Sequence, residues 1–107
     1  MVGQITVQEF LERRAGGTAM TLVDVREDWE VELATAPSPH LHIPMDQLPE
    51  RLQELPQDSE IVVLCRSGVR SLQVASFLER RGFASVYNLS GGILAWSREV
   101  DPRIPMY

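Results

Sequence analysis

Residues 61–82, IVVLCRSGVRSLQVASFLERRG, set a continuous apolar run directly against a segment of helical period. Ile61-Val62-Val63-Leu64 has the composition of a strand buried on both faces, as in a parallel sheet. Leu72, Ala75 and Leu78, with Val74, Phe77 and Arg81, predict a helix that Gly82 ends. A strand passing straight into a helix is a βα unit, and such units build parallel sheets covered by helices. The rest of the chain repeats the alternation. Ile5 precedes Thr6-x-x-Glu9, a capping-box spacing, and Val7, Phe10, Leu11 and Arg14 follow at helical intervals up to Gly16-Gly17. Met20 to Val25 and Ala84 to Leu89 read as strands, Glu27 to Leu33 as one or two helical turns, and Ile93 to Arg98 as a short helix. Leu48, Leu52 and Leu55 mark a further short helix opening near Pro49, which a first turn tolerates. Ala34 to Pro44 carries three prolines and reads as loop with at most a short extended piece. The expected architecture is α/β in three layers, a mostly parallel sheet of about five strands with helices on both faces. Residues 1–107 suffice for one domain, and no repeat or linker interrupts them.

Composition removes several classes of function. With 10 basic against 15 acidic residues the chain carries a net charge of −5, so no general nucleic-acid or anionic-membrane footprint is expected. A single cysteine excludes an intrachain disulfide framework and any cysteine-rich zinc site. No apolar run reaches the roughly 20 residues of a membrane span, and the first residues lack a signal-peptide core. A soluble cytoplasmic protein, monomeric or weakly dimeric, is the expectation. The charge is also unevenly placed. Twelve of the acids and only four of the arginines precede Ile61, whereas residues 61–83 hold Arg66, Arg70, Arg80 and Arg81 against Glu79 alone.

That small cationic island contains the only cysteine. A cysteine ending an apolar strand is commonly a small buried hydrophobe. Here Cys65 stands at a strand-to-helix junction, where free N–H groups and the helix dipole favour an anion and hence a reactive thiolate. Gly68 lets the loop adopt positive φ, so that successive N–H groups can point into one hollow. Arg66 and Arg70 occupy the helix end where cations are disfavoured, which suggests an anion between them; alternatively they face solvent or pair with acids of residues 1–60. Ser67 and Ser71 can donate to the same anion, or Ser71 can cap the helix. Ligands of such sheets bind beyond the carboxyl ends of the strands, where Asp24 and Cys65 are placed.

Cys65-Arg66-Ser67-Gly68-Val69-Arg70-Ser71 resembles the active-site loop of the rhodanese family. Leu22-Val23-Asp24-Val25-Arg26-Glu27 is similar to the family's Asp-Val-Arg-Glu strand, and VYNLSGGILAW at 86–96 to its closing Leu-x-Gly-Gly-x-x-x-Trp. The three matches keep the family order and span most of the chain. Where the family shows Gly-His-Ile-Pro-Gly-Ala, this chain has ATAPSPHLHIP at 34–44, keeping Ile-Pro and losing both glycines. The resemblance implies a sulfurtransferase without a cofactor. Cys65 takes sulfane sulfur from a small anionic donor such as thiosulfate, becomes a persulfide, and passes the sulfur to cyanide, a thiol or an acceptor protein. Arg66, Ser67, Gly68, Val69, Arg70 and Ser71 would surround that sulfur.

Two rival readings remain, and some members of the first share the rhodanese fold. Cysteine-dependent phosphatases and arsenate reductases space cysteine and arginine more widely, whereas four residues separate Cys65 from Arg70, a loop suited to a single sulfur atom. Non-catalytic rhodanese-like modules, which bind partners or regulate, generally lack the cysteine. Asp24 and Arg26 suit a supporting ion pair or hydrogen-bond role better than direct catalysis. His40-x-His42 has no third ligand at motif spacing, so no metal is expected. Trp29 and Trp96 read as packing residues, and Gly91-Gly92 alone is no phosphate loop.

Overall fold

The structure is a computed structural model and describes residues 2–107. Five strands form one sheet in the order β1-β5-β4-β2-β3, and every neighbouring pair is parallel. They are β1 Gly3–Ile5, β2 Met20–Asp24, β3 Leu41–His42, β4 Glu60–Leu64 and β5 Val86–Leu89. The helices are α1 Val7–Ala15, α2 Asp28–Leu33, α3 Val69–Arg80 and α4 Gly92–Glu99. No helix among the described residues is long and apolar enough to cross a membrane.

The alternation of strand side chains divides the interior into two cores. Leu22, Val62, Leu64 and Leu89 face α1 and α4, packing with Phe10, Ile93 and Trp96. Val23, Val25, Ile61, Val63 and Cys65 face the opposite way, towards Val74, Ala75 and Leu78 of α3 and towards Leu48 and Leu55. Burial on both faces is why β4 reads as unbroken apolar sequence. The Thr6–Glu9 capping box opens α1, with Glu9 N–H donating to Thr6 Oγ1 at 3.1 Å and Thr6 N–H to Glu9 Oε1 at 2.8 Å.

Four local expectations are corrected. Edge strand β1 carries no strand signal of its own, because three residues give too little periodicity and a Cβ at Gly3 would stand 2.6 Å from the Tyr87 ring. The leucine segment is not an α-helix but two 3₁₀ stretches, Met45–Glu50 and Leu52–Glu54, with Pro49 inside the first. Proline lacks the N–H that a longer regular helix needs at that point. Leu72 is exposed, because the inward stripe of α3 is Ser71, Val74, Ala75 and Leu78. Trp29 is 60% exposed, since α2 buries one residue, Glu30.

The topology places the site. From β2 the chain moves to β3 on one side, and from β4 it moves to β5 on the other. The crevice of an open α/β sheet lies at such a divergence, beyond the carboxyl ends of the two strands. Asp24 and Leu64 are register partners at those ends, and Cys65 is the next residue.

Candidate functional site

Cys65 leaves the central strand with 1% of its surface exposed, and the chain turns into α3 through Arg66, Ser67 and Gly68. Gly68 has φ +101°, a conformation strained for any residue with a side chain. That turn brings the Gly68 N–H to 3.1 Å from Cys65 Sγ. Ser71, the first inward-facing residue of α3, puts its hydroxyl 3.2 Å from the same sulfur. Burial opposes a charged sulfur, but the Ser71 hydroxyl and the N–H groups of Ser71, Gly68 and Ser67 outweigh it, so the Cys65 thiol is held below its ordinary value.

The loop's carbonyls are occupied from behind. The first free N–H groups of α4 donate to them, Ile93 to Cys65 O at 2.9 Å and Leu94 to Arg66 O at 3.1 Å. With the carbonyls turned towards α4, the loop's N–H groups are left for the sulfur side. Gly92 makes this approach possible. A Cβ there would stand 2.4 Å from Arg66 O and 2.5 Å from Cys65 O, and its φ is +58°. The Gly-Gly pair in VYNLSGGILAW therefore has a packing function at the cysteine loop.

The two loop arginines are both engaged by protein oxygens. Arg70 donates from Nη1 and Nη2 to the two carboxylate oxygens of Glu30, at 2.7 and 2.8 Å. Arg66 donates to the backbone oxygen of Tyr107, from Nε at 2.6 Å and also from Nη2, and its guanidinium lies over the Tyr107 ring. Arg70 so gripped is held further towards its charged form, and Glu30 is lowered to about 2. For Glu30 the Arg70 bonds lead, with burial acting against them and the Glu27 N–H and Tyr107 hydroxyl helping. Of these two arginines, Arg70 thus meets an acid from the first sixty residues and Arg66 meets residue 107.

Asp24 and Arg26 lie behind this cluster as a fully buried ion pair, 2.8 Å from Arg26 Nη2 to Asp24 Oδ2. Arg26 also donates to Ala34 O at 2.8 Å and to the Tyr107 hydroxyl at 3.0 Å, so it ties α2 and the C-terminal residue to the end of β2. Neither is hydrogen-bonded to the Cys65 sulfur. Val69 is 65% exposed and His42 binds Arg26 O at 2.7 Å through Nε2. Among the described residues no cluster of histidine, cysteine and carboxylate side chains could hold a metal ion.

Three residues of the site were not found by sequence reasoning. Glu30 stands at the third position of α2 and accepts the Glu27 N–H at 3.0 Å, so the Glu27-x-x-Glu30 spacing was a visible capping signal. Its partner Arg70 lies 40 residues away and nothing local announces it. Tyr107 bridges Glu30, Arg26 and Arg66 from a proline-punctuated tail with no pattern of its own. Asn88 on β5 accepts from Ser71 Oγ at 2.5 Å, within a strand that otherwise reads as core.

The sequence and the fold are similar to those of known proteins. Residues 6–99 match the family model described as "Rhodanese-like domain". A sulfurtransferase of Allochromatium vinosum is 39% identical over 95% of this chain and 94% of its own length. A putative sulfurtransferase of Bacillus subtilis, YtwF, is 37% identical over 95% of this chain and 97% of its own. The crystal structure of a rhodanese-like domain protein from Staphylococcus aureus superposes with a TM-score of 0.82 at 29% identity, covering 99% of both chains. With similarity running through nearly the whole chain, this protein belongs to the rhodanese-like family and is a transferase of the rhodanese type.

Proposed function

We propose that residues 1–107 act as one rhodanese-like unit that transfers sulfane sulfur through a persulfide on Cys65. The observation that carries this reading is the sulfur's surroundings: N–H groups and a hydroxyl converge on Cys65 Sγ with a short loop between it and Arg70. Such a cradle stabilises negative charge on one sulfur, whether thiolate or persulfide, as an oxyanion hole does for oxygen. In the first half-reaction the Cys65 thiolate attacks the outer sulfur of a donor such as thiosulfate. The new S–S bond forms as the donor's S–S bond breaks, and its electron pair departs on sulfite. Cys65-S-S⁻ remains, with its terminal sulfur among residues 66–71. In the second, cyanide, a thiol or an acceptor protein attacks that sulfur, and the thiolate is regenerated. This is ping-pong covalent catalysis, and one cysteine suffices because the acceptor resolves the intermediate.

Arg66 and Arg70 are the groups proposed to draw a small anionic donor to the mouth. Both already hold a protein oxygen, so a donor would share or displace those contacts. The direct test is intact mass after incubation with thiosulfate. A gain of one sulfur atom, reversed by cyanide with release of thiocyanate and absent in Cys65→Ala, supports the reading. No gain with thiosulfate or with a low-molecular-weight persulfide overturns it.

A further inference from the structure

The hydrogen bonds around Ser71 fix where its single hydroxyl proton lies. The carbonyl of Gly68 can only accept, so the Asn88 side-chain atom 3.2 Å from it is the amide nitrogen. The same nitrogen donates to Gln4 Oε1 at 3.1 Å. Asn88 Oδ1 is thereby turned towards Ser71 Oγ at 2.5 Å, and an amide oxygen has no proton to give. Ser71 therefore donates to Asn88 and presents only lone pairs to Cys65 Sγ at 3.2 Å. In this arrangement the neutral thiol is the donor of the Cys65–Ser71 bond.

Loss of the thiol proton leaves two acceptors, the sulfur and Asn88 Oδ1, facing one hydroxyl proton. The charged acceptor attracts it more strongly, so the Ser71 hydroxyl turns to sulfur and Asn88 Oδ1 loses its donor. Asn88 is 4% exposed, so that oxygen has little water to replace the bond. We infer that Asn88 is a positioning residue that restrains thiolate formation at Cys65 by holding the Ser71 hydroxyl proton. The inference rests on the proposed role of Cys65 as the reacting sulfur. It adds that the cradle is opposed from β5, which keeps the resting cysteine protonated more than Ser71 and the loop N–H groups would leave it.

The charged groups around the sulfur come from other elements and are already paired. They are Arg70 of α3 with Glu30 of α2, Arg66 with Tyr107, and Asp24 with Arg26 at the end of β2. From β5 and β1 the site receives only the neutral amides of Asn88 and Gln4.

The test is the apparent pKa of Cys65, read from thiolate absorbance in the ultraviolet against a Cys65→Ala baseline, which requires no turnover and no second thiol. Asn88→Leu should lower it by about half to one pH unit, the worth of one hydrogen bond, giving three- to tenfold more thiolate at neutral pH. Asn88→Asp should raise it, because a carboxylate keeps the Ser71 proton and adds a like charge. Ser71→Ala should raise it too, and in that background Asn88→Leu should produce no further fall. A general loosening of the loop would move both Asn88 variants the same way, and would persist without Ser71. Either result, or an unchanged value in Asn88→Leu, overturns the inference; Asn88→Ala replaces Asn88→Leu if the latter does not fold. Persulfide loading measured separately tests the sulfurtransfer reading, so each idea can fail alone.

Discussion

The sulfur of Cys65 is held by the Gly68 N–H and the Ser71 hydroxyl and not by a base: among the described residues no histidine or carboxylate is hydrogen-bonded to it. Removing the sulfur should therefore remove the chemistry and spare the fold. Cys65→Ser is expected to show no mass gain with thiosulfate and no thiocyanate formation, with an unchanged melting temperature to within a few degrees. Arg70 holds Glu30 in an ion pair besides its proposed part in drawing the donor, which makes its removal more costly. Arg70→Ala should reduce kcat/KM for thiosulfate tenfold or more, on the order of 1.5–3 kcal/mol for a lost charge-assisted bond. It should also destabilise the protein, because Glu30 is left buried with the Glu27 N–H and the Tyr107 hydroxyl as its remaining partners. Glu30→Gln separates the two effects. It keeps the shape while removing the charge that holds Arg70 in place, so steady-state kinetics should show a change in KM exceeding the change in stability.

At the scale of elements, the loop depends on α4 behind it as much as on α3 after it. The first N–H groups of α4 take the carbonyls of Cys65 and Arg66, and only a residue without a Cβ permits that approach. Gly92→Ala should lower the melting temperature and abolish persulfide loading together, since backbone must move and a strained φ costs on the order of 1–3 kcal/mol. Gly17→Ala provides the control. Its φ is also positive, at +95°, but nothing stands within 4 Å of the added methyl, so thermal unfolding should shift modestly and loading not at all. Equal effects of the two substitutions would show that strain alone, and not the α4 contact, governs the loop. The packing of α4 itself is fixed by Trp96, which is buried and meets Phe10 of α1 edge to face at 6.1 Å.

At the scale of the whole molecule, Glu30 makes stability depend on acid. Its native value of about 2 lies below the 4.5 of an unperturbed carboxylate. The unfolded chain therefore binds the proton first as pH falls, and the contribution is full above about pH 5 and lost on the way down to about pH 2. On the order of 2 kcal/mol should be lost over that window, after allowance for the partly exposed Arg70. Denaturant unfolding at stepped pH should show the loss, and Glu30→Gln should flatten it. This dependence joins α2, α3 and the C-terminal residue in one cluster, so acid should weaken the site before the sheet. Hydrogen exchange that protects β4 less than α2 at low pH would contradict it.

Much of the molecule was written locally. The apolar runs at 20–25 and 61–64, the capping box at Thr6 and the glycine stops dictate βα units, because their signals lie within a few residues of the structure they specify. The cysteine, its position at a strand end and the N–H groups of the following turn were legible for the same reason. Local pattern failed where a side chain's partner is distant or where polarity replaces apolarity in an inward stripe. Ser71 holds the inward position that the apolar pattern allotted to Leu72, and Trp29 faces solvent because Glu30 takes the buried face of α2. The sequence by itself determined most of the elements, the sheet class and the position of Cys65 in the loop after the central strand. Only the tertiary structure decided what each arginine holds, that Tyr107 closes the cluster, and that Asn88 faces Ser71. Those outcomes join residues 17 to 81 positions apart, where hydrogen-bond geometry and charge select the partner and no sequence periodicity records the choice.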